Sequence, residues 1–149
     1  MPAEVHHTRA RRLFITGASG FLGRCLLARL NPVNFEIISC LSRSAPPATS
    51  SRNIEWFRPE LAETTAYSAA LAGADCVLHL AAATGKLPPK EYFAVNVEGT
   101  CRLVEQCKLA GVRNVLFVSS IAAGFPDQKR YYYAQSKVQA EETVRQSGL

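Results

Sequence analysis

Leu13-Phe14-Ile15-Thr16-Gly17-Ala18-Ser19-Gly20-Phe21-Leu22-Gly23 decides the fold of this chain. Leu13 to Thr16 reads as a buried strand. It runs into a glycine-rich turn, and a helical pattern follows at once. Of Gly17, Gly20 and Gly23, one makes the tight turn, one lets the backbone approach a ligand, and one lets the helix pack closely on the strand. Ser19, Phe21 and Leu22 complete the turn. The unpaired N–H groups and positive dipole end of the helix then suit the pyrophosphate of a dinucleotide. A glycine triplet also serves a ligand-free strand-to-helix turn, so the rest of the chain must decide.

Outward from the turn, strand and helix patterns alternate. The helix from Phe21 to Leu30 carries Leu22, Leu26 and Leu30 at fourfold spacing, and Asn31-Pro32 stops it. Phe35 to Leu41 is the second strand. Ser44 to Ser51, rich in Pro, Ala and Ser, is an exposed loop. Ile54 to Phe57 is the third strand. Thr64 to Leu71 is helical, with Gly73 as its stop. Cys76 to Ala82 is the fourth strand, Lys86 to Lys90 a loop, and Glu91 to Leu109 a long helix followed by Gly111. Val115 to Val118 is the fifth strand and Tyr132 to Gln146 the last helix. Short apolar strands alternating with amphipathic helices predict right-handed crossovers and a doubly wound parallel sheet in a three-layer αβα, Rossmann-like fold. With the phosphate turn after the first strand, the expected order is 3-2-1-4-5.

Composition fits one globular domain. The chain has 149 residues, 48% hydrophobic and 19% charged, enough to bury a core. Residues 1–12, with His6, His7, Arg9, Arg11 and Arg12, read as a basic tail, and 13–149 as the domain. His6-His7 has no further ligand nearby, so no metal site is expected. The net charge of +5 is scattered. No basic stripe with interleaved aromatics argues for nucleic acid. No apolar run approaches a membrane span, and none before Leu13 resembles a signal peptide. Cys25, Cys40, Cys76, Cys101 and Cys107 are odd in number and lack metal-ligand spacing, which suggests reduced thiols in a cytoplasmic protein.

Tyr133 and Lys137 stand one helical turn apart, so both point to one face. Ser120 lies just past the fifth strand. In an open parallel sheet, ligands sit at the carboxyl ends of the strands, the edge that also carries the glycine turn. A tyrosine with an ordinary pKa near 10 is a poor base at neutral pH. A neighbouring ammonium favours the phenolate. Tyr133 then takes a proton from a substrate hydroxyl as hydride leaves the carbon, or returns it. Ser120 holds the same oxygen. Tyr-x-x-x-Lys also arises by chance on amphipathic helices, and it gains weight here from the serine and the glycine turn that precede it.

Together these segments resemble the extended short-chain dehydrogenase/reductase superfamily, also called the NAD-dependent epimerase/dehydratase family. The resemblance runs from about Leu13 to Glu142. Thr16 to Gly23 is similar to its phosphate turn. His79-Leu80-Ala81-Ala82 is similar to its fourth-strand signature, which implies that Leu80, Ala81 and Ala82 line the cofactor. Asn96-Val97-Glu98-Gly99-Thr100 is similar to its central-helix signature. Val118-Ser119-Ser120 and Tyr133-Ala134-Gln135-Ser136-Lys137 are similar to its catalytic segments. The resemblance implies a catalytic Ser120, Tyr133 and Lys137, with Ser119 and Lys137 also reaching the cofactor. Asn96 either completes the site or kinks and caps its helix.

The resemblance also frames the choice of cofactor. NAD-preferring relatives usually carry a carboxylate just after the second strand. Here Leu41-Ser42-Arg43-Ser44 has none, and Arg43 suits a 2′-phosphate, so NADP is favoured over NAD. Glu60-Leu61 falls where relatives often have Asp-Leu near the adenine. The short gap between Ser120 and Tyr133 argues against assuming a nucleotide sugar as substrate. In relatives, further strands and the substrate-binding segments follow the point where this sequence stops, so an isolated domain or truncated product is expected. Many relatives pair through two long helices, which implies a homodimer. Two functions are open at this point: an NAD(P)-dependent oxidoreductase or epimerase acting on a small molecule, or a non-catalytic dinucleotide-binding sensor or structural subunit.

Overall fold

The computed structural model describes residues 12–44 and 51–149. Its centre is β1 (Arg12–Thr16), paired in parallel with β2 (Ile37–Leu41) on one side and β4 (Cys76–His79) on the other. β3 (Ile54–Phe57) and β5 (Val115–Phe117) form the edges, so the order is β3-β2-β1-β4-β5, as expected. Thr16 stands opposite both Leu41 and His79. The carboxyl ends of the three inner strands are therefore level.

Alternation along β1 feeds two cores. Leu13 and Ile15 join Ile38 and Cys40 beneath Leu26, Leu27 and Leu30 of the first helical segment. Phe14 points to the other face. There it packs with Val77, Tyr67 and Leu71, and with Leu103 and Cys107 of the long helix. Each of these large apolar side chains contributes roughly 1.5–3 kcal/mol when fully buried. Cys40 and Cys107 sit in opposite cores, and burial pushes both thiols up to about 12, so they behave as small hydrophobes. Among the described residues no helix is long and apolar enough to cross a membrane.

Several element boundaries differ from the periodic reading, each for a local reason. α1 covers Phe21–Leu27 rather than reaching Leu30, and Arg29 N–H and Leu30 N–H both close on the Leu26 carbonyl in a final turn. β2 begins at Ile37, because the Phe35 carbonyl is taken by Asn53 Nδ2 at 3.0 Å. The stretch expected as one helix over Thr64–Leu71 splits into a 3₁₀ turn, Thr64–Ala66, and α2, Ser68–Leu71. β4 stops at His79 rather than Ala82. Leu80 N–H still reaches the Thr16 carbonyl, but Ala81 N–H turns to the Thr16 hydroxyl and Ala83 N–H to the Asn96 side chain.

The loop expected over Lys86–Lys90 ends early, since Pro89 opens α3 (Pro89–Tyr92), where its missing N–H costs nothing. α3 leads without a break into a π-helical segment, Phe93–Glu98, and then α4 (Gly99–Leu109), so the long helix is not uniform. β5 ends at Phe117 and α5 covers Tyr132–Ser147. The basic tail lies outside the described residues except Arg12, which opens β1 and donates its N–H to Asp75 at 2.9 Å. The Ser44–Ser51 loop lies outside them apart from its two end residues.

Gly17 and Gly23, either side of the turn after β1, have no room for a side chain. Gly17 has φ +70°, and a Cβ there would lie 2.7 Å from the Ala81 nitrogen. A Cβ on Gly23 would lie 2.5 Å from the carbonyl oxygens of Gly17 and Ala18. Gly17→Ala is expected to destabilise the chain by roughly 1–3 kcal/mol in urea denaturation. Gly124→Ala, which meets open space, should stay within about 0.5 kcal/mol of the parent. Equal midpoints for the two variants would refute the close approach.

Candidate functional site

The carboxyl edge of the sheet opens into a cleft of about 460 Å³. Its floor is the turn, with Gly17, Ser19 and Gly20. Leu41, Ser42 and Arg43 line one side and Pro59, Glu60, Leu61 and Ala62 an adjacent one. Leu80, Ala81 and Ala82 follow β4, and Glu91, Ala94, Val95, Glu98, Gly99 and Arg102 come from the long helical run. Gly20 caps α1, its N–H bonded to the Gly17 carbonyl at 3.0 Å. The first N–H groups of a helix have no partner within it, so the turn presents donors beside the cleft. Ser42 is pinned by its own hydroxyl, which donates to the Ser44 carbonyl at 3.0 Å and accepts from Ser44 N–H at 3.1 Å. Arg43 is exposed at the mouth.

Ten of the residues expected at a cofactor therefore border one cavity: Gly17, Ser19, Gly20, Ser42, Arg43, Glu60, Leu61, Leu80, Ala81 and Ala82. Phe21 and Leu22 do not; they project from α1, with Phe21 75% exposed. Gly23 is buried under the turn. The bare Cα of Gly17 faces the Leu80–Ala81 backbone, so the glycine lets the turn close against the end of β4 where both border the cleft.

Behind the cleft wall runs a chain of buried polar groups. Thr16 Oγ1 and His79 Nδ1 are 2.6 Å apart, His79 Nε2 and Thr100 Oγ1 2.9 Å, and Thr100 Oγ1 donates to the Asn96 carbonyl at 2.6 Å. The Asn96 amide accepts from Ala83 N–H at 2.6 Å and donates to the Ala83 carbonyl at 3.1 Å. It also donates to Ser136 Oγ at 2.9 Å, and Ser136 donates to the Tyr133 carbonyl at 2.7 Å. Asn96 is 1% exposed, inside the π-helical segment. Its side chain is spent on holding the β4–α3 loop and the start of α5.

Ser120, Tyr133 and Lys137 sit at the same sheet edge but do not border the cleft. Ser120 follows β5 and caps a 3₁₀ turn, Ile121–Gly124, accepting from Ala122 N–H at 3.2 Å. That contact uses a lone pair and leaves the O–H as a donor. Tyr133 lies in a row of rings, 6.1 Å from Tyr131 and 6.0 Å, edge to face, from Tyr92. The Tyr92 hydroxyl donates to the Gly85 carbonyl and accepts from Leu87 N–H, so it anchors the loop beside Tyr133. Lys137 is 2% exposed. Its ammonium donates to the Val118 carbonyl at 2.8 Å and lies 4.0 Å from the Phe117 ring centroid. Burial lowers its pKa to about 8, against an opposing pull from Glu141. Among the described residues, Ser119 Oγ and Trp56 Nε1 are the buried side-chain polar atoms without a partner. Ser119, expected at the cofactor, stands between Val118 and Ser120 and does not border the cleft.

Reading the sequence passed over Arg102 and Tyr92 altogether, and treated His79, Glu98, Thr100 and Ser136 only as members of motifs. One signal was available: Tyr92, Asn96 and Thr100 are all buried at fourfold spacing on one helical run.

Comparison with known proteins places this geometry in context. The model of the 3-beta hydroxysteroid dehydrogenase/isomerase family matches residues 14–147. A uronate dehydrogenase from Pseudomonas syringae is 28% identical over 94% of the chain, which spans 56% of that protein. The crystal structure of uronate dehydrogenase from Agrobacterium tumefaciens superposes with a TM-score of 0.79 at 28% identity, over 91% of this chain and 55% of that one. A short-chain dehydrogenase/reductase superfamily protein from the same organism, solved with bound NAD, gives 0.74 at 29% identity, over 90% and 44%. The chain thus spans about half the length of the proteins it resembles. With nearly its whole length matched by the family model and its sheet shared with these dehydrogenases, the chain belongs to the 3-beta hydroxysteroid dehydrogenase/isomerase family, within the extended short-chain dehydrogenases/reductases.

Proposed function

We propose that the chain binds a nicotinamide dinucleotide in the cleft at the carboxyl edge, and that Ser120, Tyr133 and Lys137 move a proton at a hydroxyl or carbonyl oxygen of a small substrate. The cleft bordered by Gly17, Ser19 and Gly20 of the turn and by the segments after β2 and β4 carries this reading. Gly17, Ser19 and Gly20 would take the pyrophosphate, Leu61, Ala81 and Ala82 the adenine end, and Ser119 and Lys137 the other end. When bound, the nicotinamide supplies the hydride acceptor or donor. In this reading Tyr133 takes the proton from the substrate oxygen or returns it. Ser120 donates a hydrogen bond to that oxygen and stabilises its developing charge. The Lys137 ammonium, held by the Val118 carbonyl and carried one helical turn after Tyr133, would supply the positive charge that favours the phenolate.

The same proposal favours NADP. No carboxylate follows β2, and Arg43 borders the cleft where the adenosine ribose would lie. Titration with NADPH and NADH, followed by cofactor fluorescence, should show tighter NADPH binding. Arg43→Ala should weaken NADPH by about tenfold or more and leave NADH unchanged, the loss of one or two charge-assisted hydrogen bonds. Stronger NADH binding would reverse the preference. Binding of neither would remove the site.

Tyr133→Phe should lower turnover of any accepted hydroxyl or carbonyl substrate by roughly 10²–10⁴ while dinucleotide affinity stays near the parent value. Turnover that survives the change would exclude Tyr133 as the proton-transfer group. Dinucleotide binding without turnover of any substrate in the parent would select the sensor or structural reading.

Lys137 also has a signature in stability. Its folded pKa of about 8 lies below the ordinary 10.5, so between these values the unfolded chain binds more protons than the folded one. Stability gained from this group therefore rises with pH through that window. Urea midpoints of the parent, measured relative to Lys137→Met, should climb between pH about 8 and 10.5. A flat difference would place the ammonium in solvent.

A further inference from the structure

Between the cleft and the Tyr133 segment lies an imidazole that the proposed chemistry does not use. His79 is 1% exposed at the end of β4. Its hydrogen bonds have only one direction that satisfies every partner. The Thr100 hydroxyl gives its proton to the Asn96 carbonyl, so toward His79 it can only accept, and Nε2 must carry the ring proton. Nδ1 is then the acceptor for the Thr16 hydroxyl. Thr16 Oγ1, having donated, accepts from Ala81 N–H at 3.1 Å. A proton on Nδ1 would take from the Thr16 hydroxyl the acceptor it has here. Burial, reinforced by the Lys137 charge, lowers the His79 pKa to about 3, so the ring stays neutral. The imidazole also lies 5.4 Å from the Phe117 ring, over which the Lys137 ammonium sits.

The two ends of this chain matter. Ala81 forms the cleft wall against which Gly17 turns. Asn96 holds the Ala83 backbone and, through Ser136, the backbone of Tyr133. We propose that His79 is a positioning residue, a neutral link of fixed tautomer that keeps the Ala81 wall of the cleft in register with the Asn96–Tyr133 segment. Its effect on cofactor binding rests on the function proposed above; the link itself does not.

Imidazole ¹H–¹⁵N spectra of the parent chain test the link directly. The expected result is a protonated Nε2, an unprotonated Nδ1, and no titration around pH 6.5, where a free histidine changes charge. His79→Leu removes both hydrogen bonds at similar bulk. It should shift the Asn96 side-chain amide and the Ala83 and Tyr133 backbone signals, well beyond the immediate neighbours, and weaken dinucleotide binding about tenfold. His79→Gln, which keeps a donor and an acceptor, should recover most of that binding. Should the leucine variant fail to fold, Thr100→Val cuts the link at its next member and should shift the Ala81 amide. A ring that titrates near 6.5 or is protonated on Nδ1 would overturn the proposal. So would variants whose shifts stop at the nearest neighbours. A parent chain that binds no dinucleotide would sink the proposed function, while ring nitrogens and the spread of shifts would still decide on His79.

Discussion

The 2.6 Å hydrogen bond between Thr16 and His79 joins the two central strands by their side chains at the level where their backbone ladder gives out. Much of the carboxyl edge depends on it. Polar groups buried at that depth are costly unless every one finds a partner, and a partly satisfied network is worse than an apolar core. Here Thr16, His79, Thr100, Asn96 and Ser136 are each bonded, and the bonds run from the cleft to α5 without an orphan among them. Such a network specifies one arrangement, where an apolar core of similar volume accepts several packings. Residues of four elements then meet the edge in fixed relation: the turn after β1, the loop after β4, the long helical run and α5.

The division of labour between the faces of the sheet follows. The face under α1 is filled by Leu13, Ile15, Ile38 and Cys40, with Trp56 packed against them. The opposite face is apolar under α4, with Phe14, Val77 and Leu103; apart from the small Ser39 beside Phe14, its buried strand polar groups, Thr16 and His79, lie at the carboxyl edge. Strand alternation puts Phe14 and Thr16, Val77 and His79 on this one face. Stability and positioning are thus supplied by successive residues of the same two strands.

The strand order and the glycine turn were legible because they rest on local rules. Four apolar residues followed by Gly17, Gly20 and Gly23 leave few alternatives, and right-handed crossovers fix the rest. The cleft residues Ser42, Arg43, Glu60 and Leu61 were legible through the family resemblance, which marks the segments after the second and third strands. Element ends were not. At β4 the reading continued to Ala82 because Leu80, Ala81 and Ala82 are apolar, but side chains of Thr16 and Asn96 replace the sheet as partners for Ala81 and Ala83. Asn96 was read as either a site residue or a helix-distorting one. The structure puts it in the distorted segment and commits its amide to the backbone of Ala83. The role of His79 was hidden because it depends on which group faces each ring nitrogen, and that is set by strands and helices distant in sequence.

The π-helical segment has a geometric consequence. In a regular α-helix each residue advances 100°, so residues four apart drift by about 40° per step. Tyr92, Asn96 and Thr100 would then fan around the axis, and a side chain aimed at β4 would leave its successor aimed past it. Widening the turns over Phe93–Glu98 slows that drift and brings the three closer to one line. One helical run therefore serves two neighbours: Asn96 and Thr100 meet the polar groups after β4, and Leu103 and Cys107, one and two turns further on, close the apolar core.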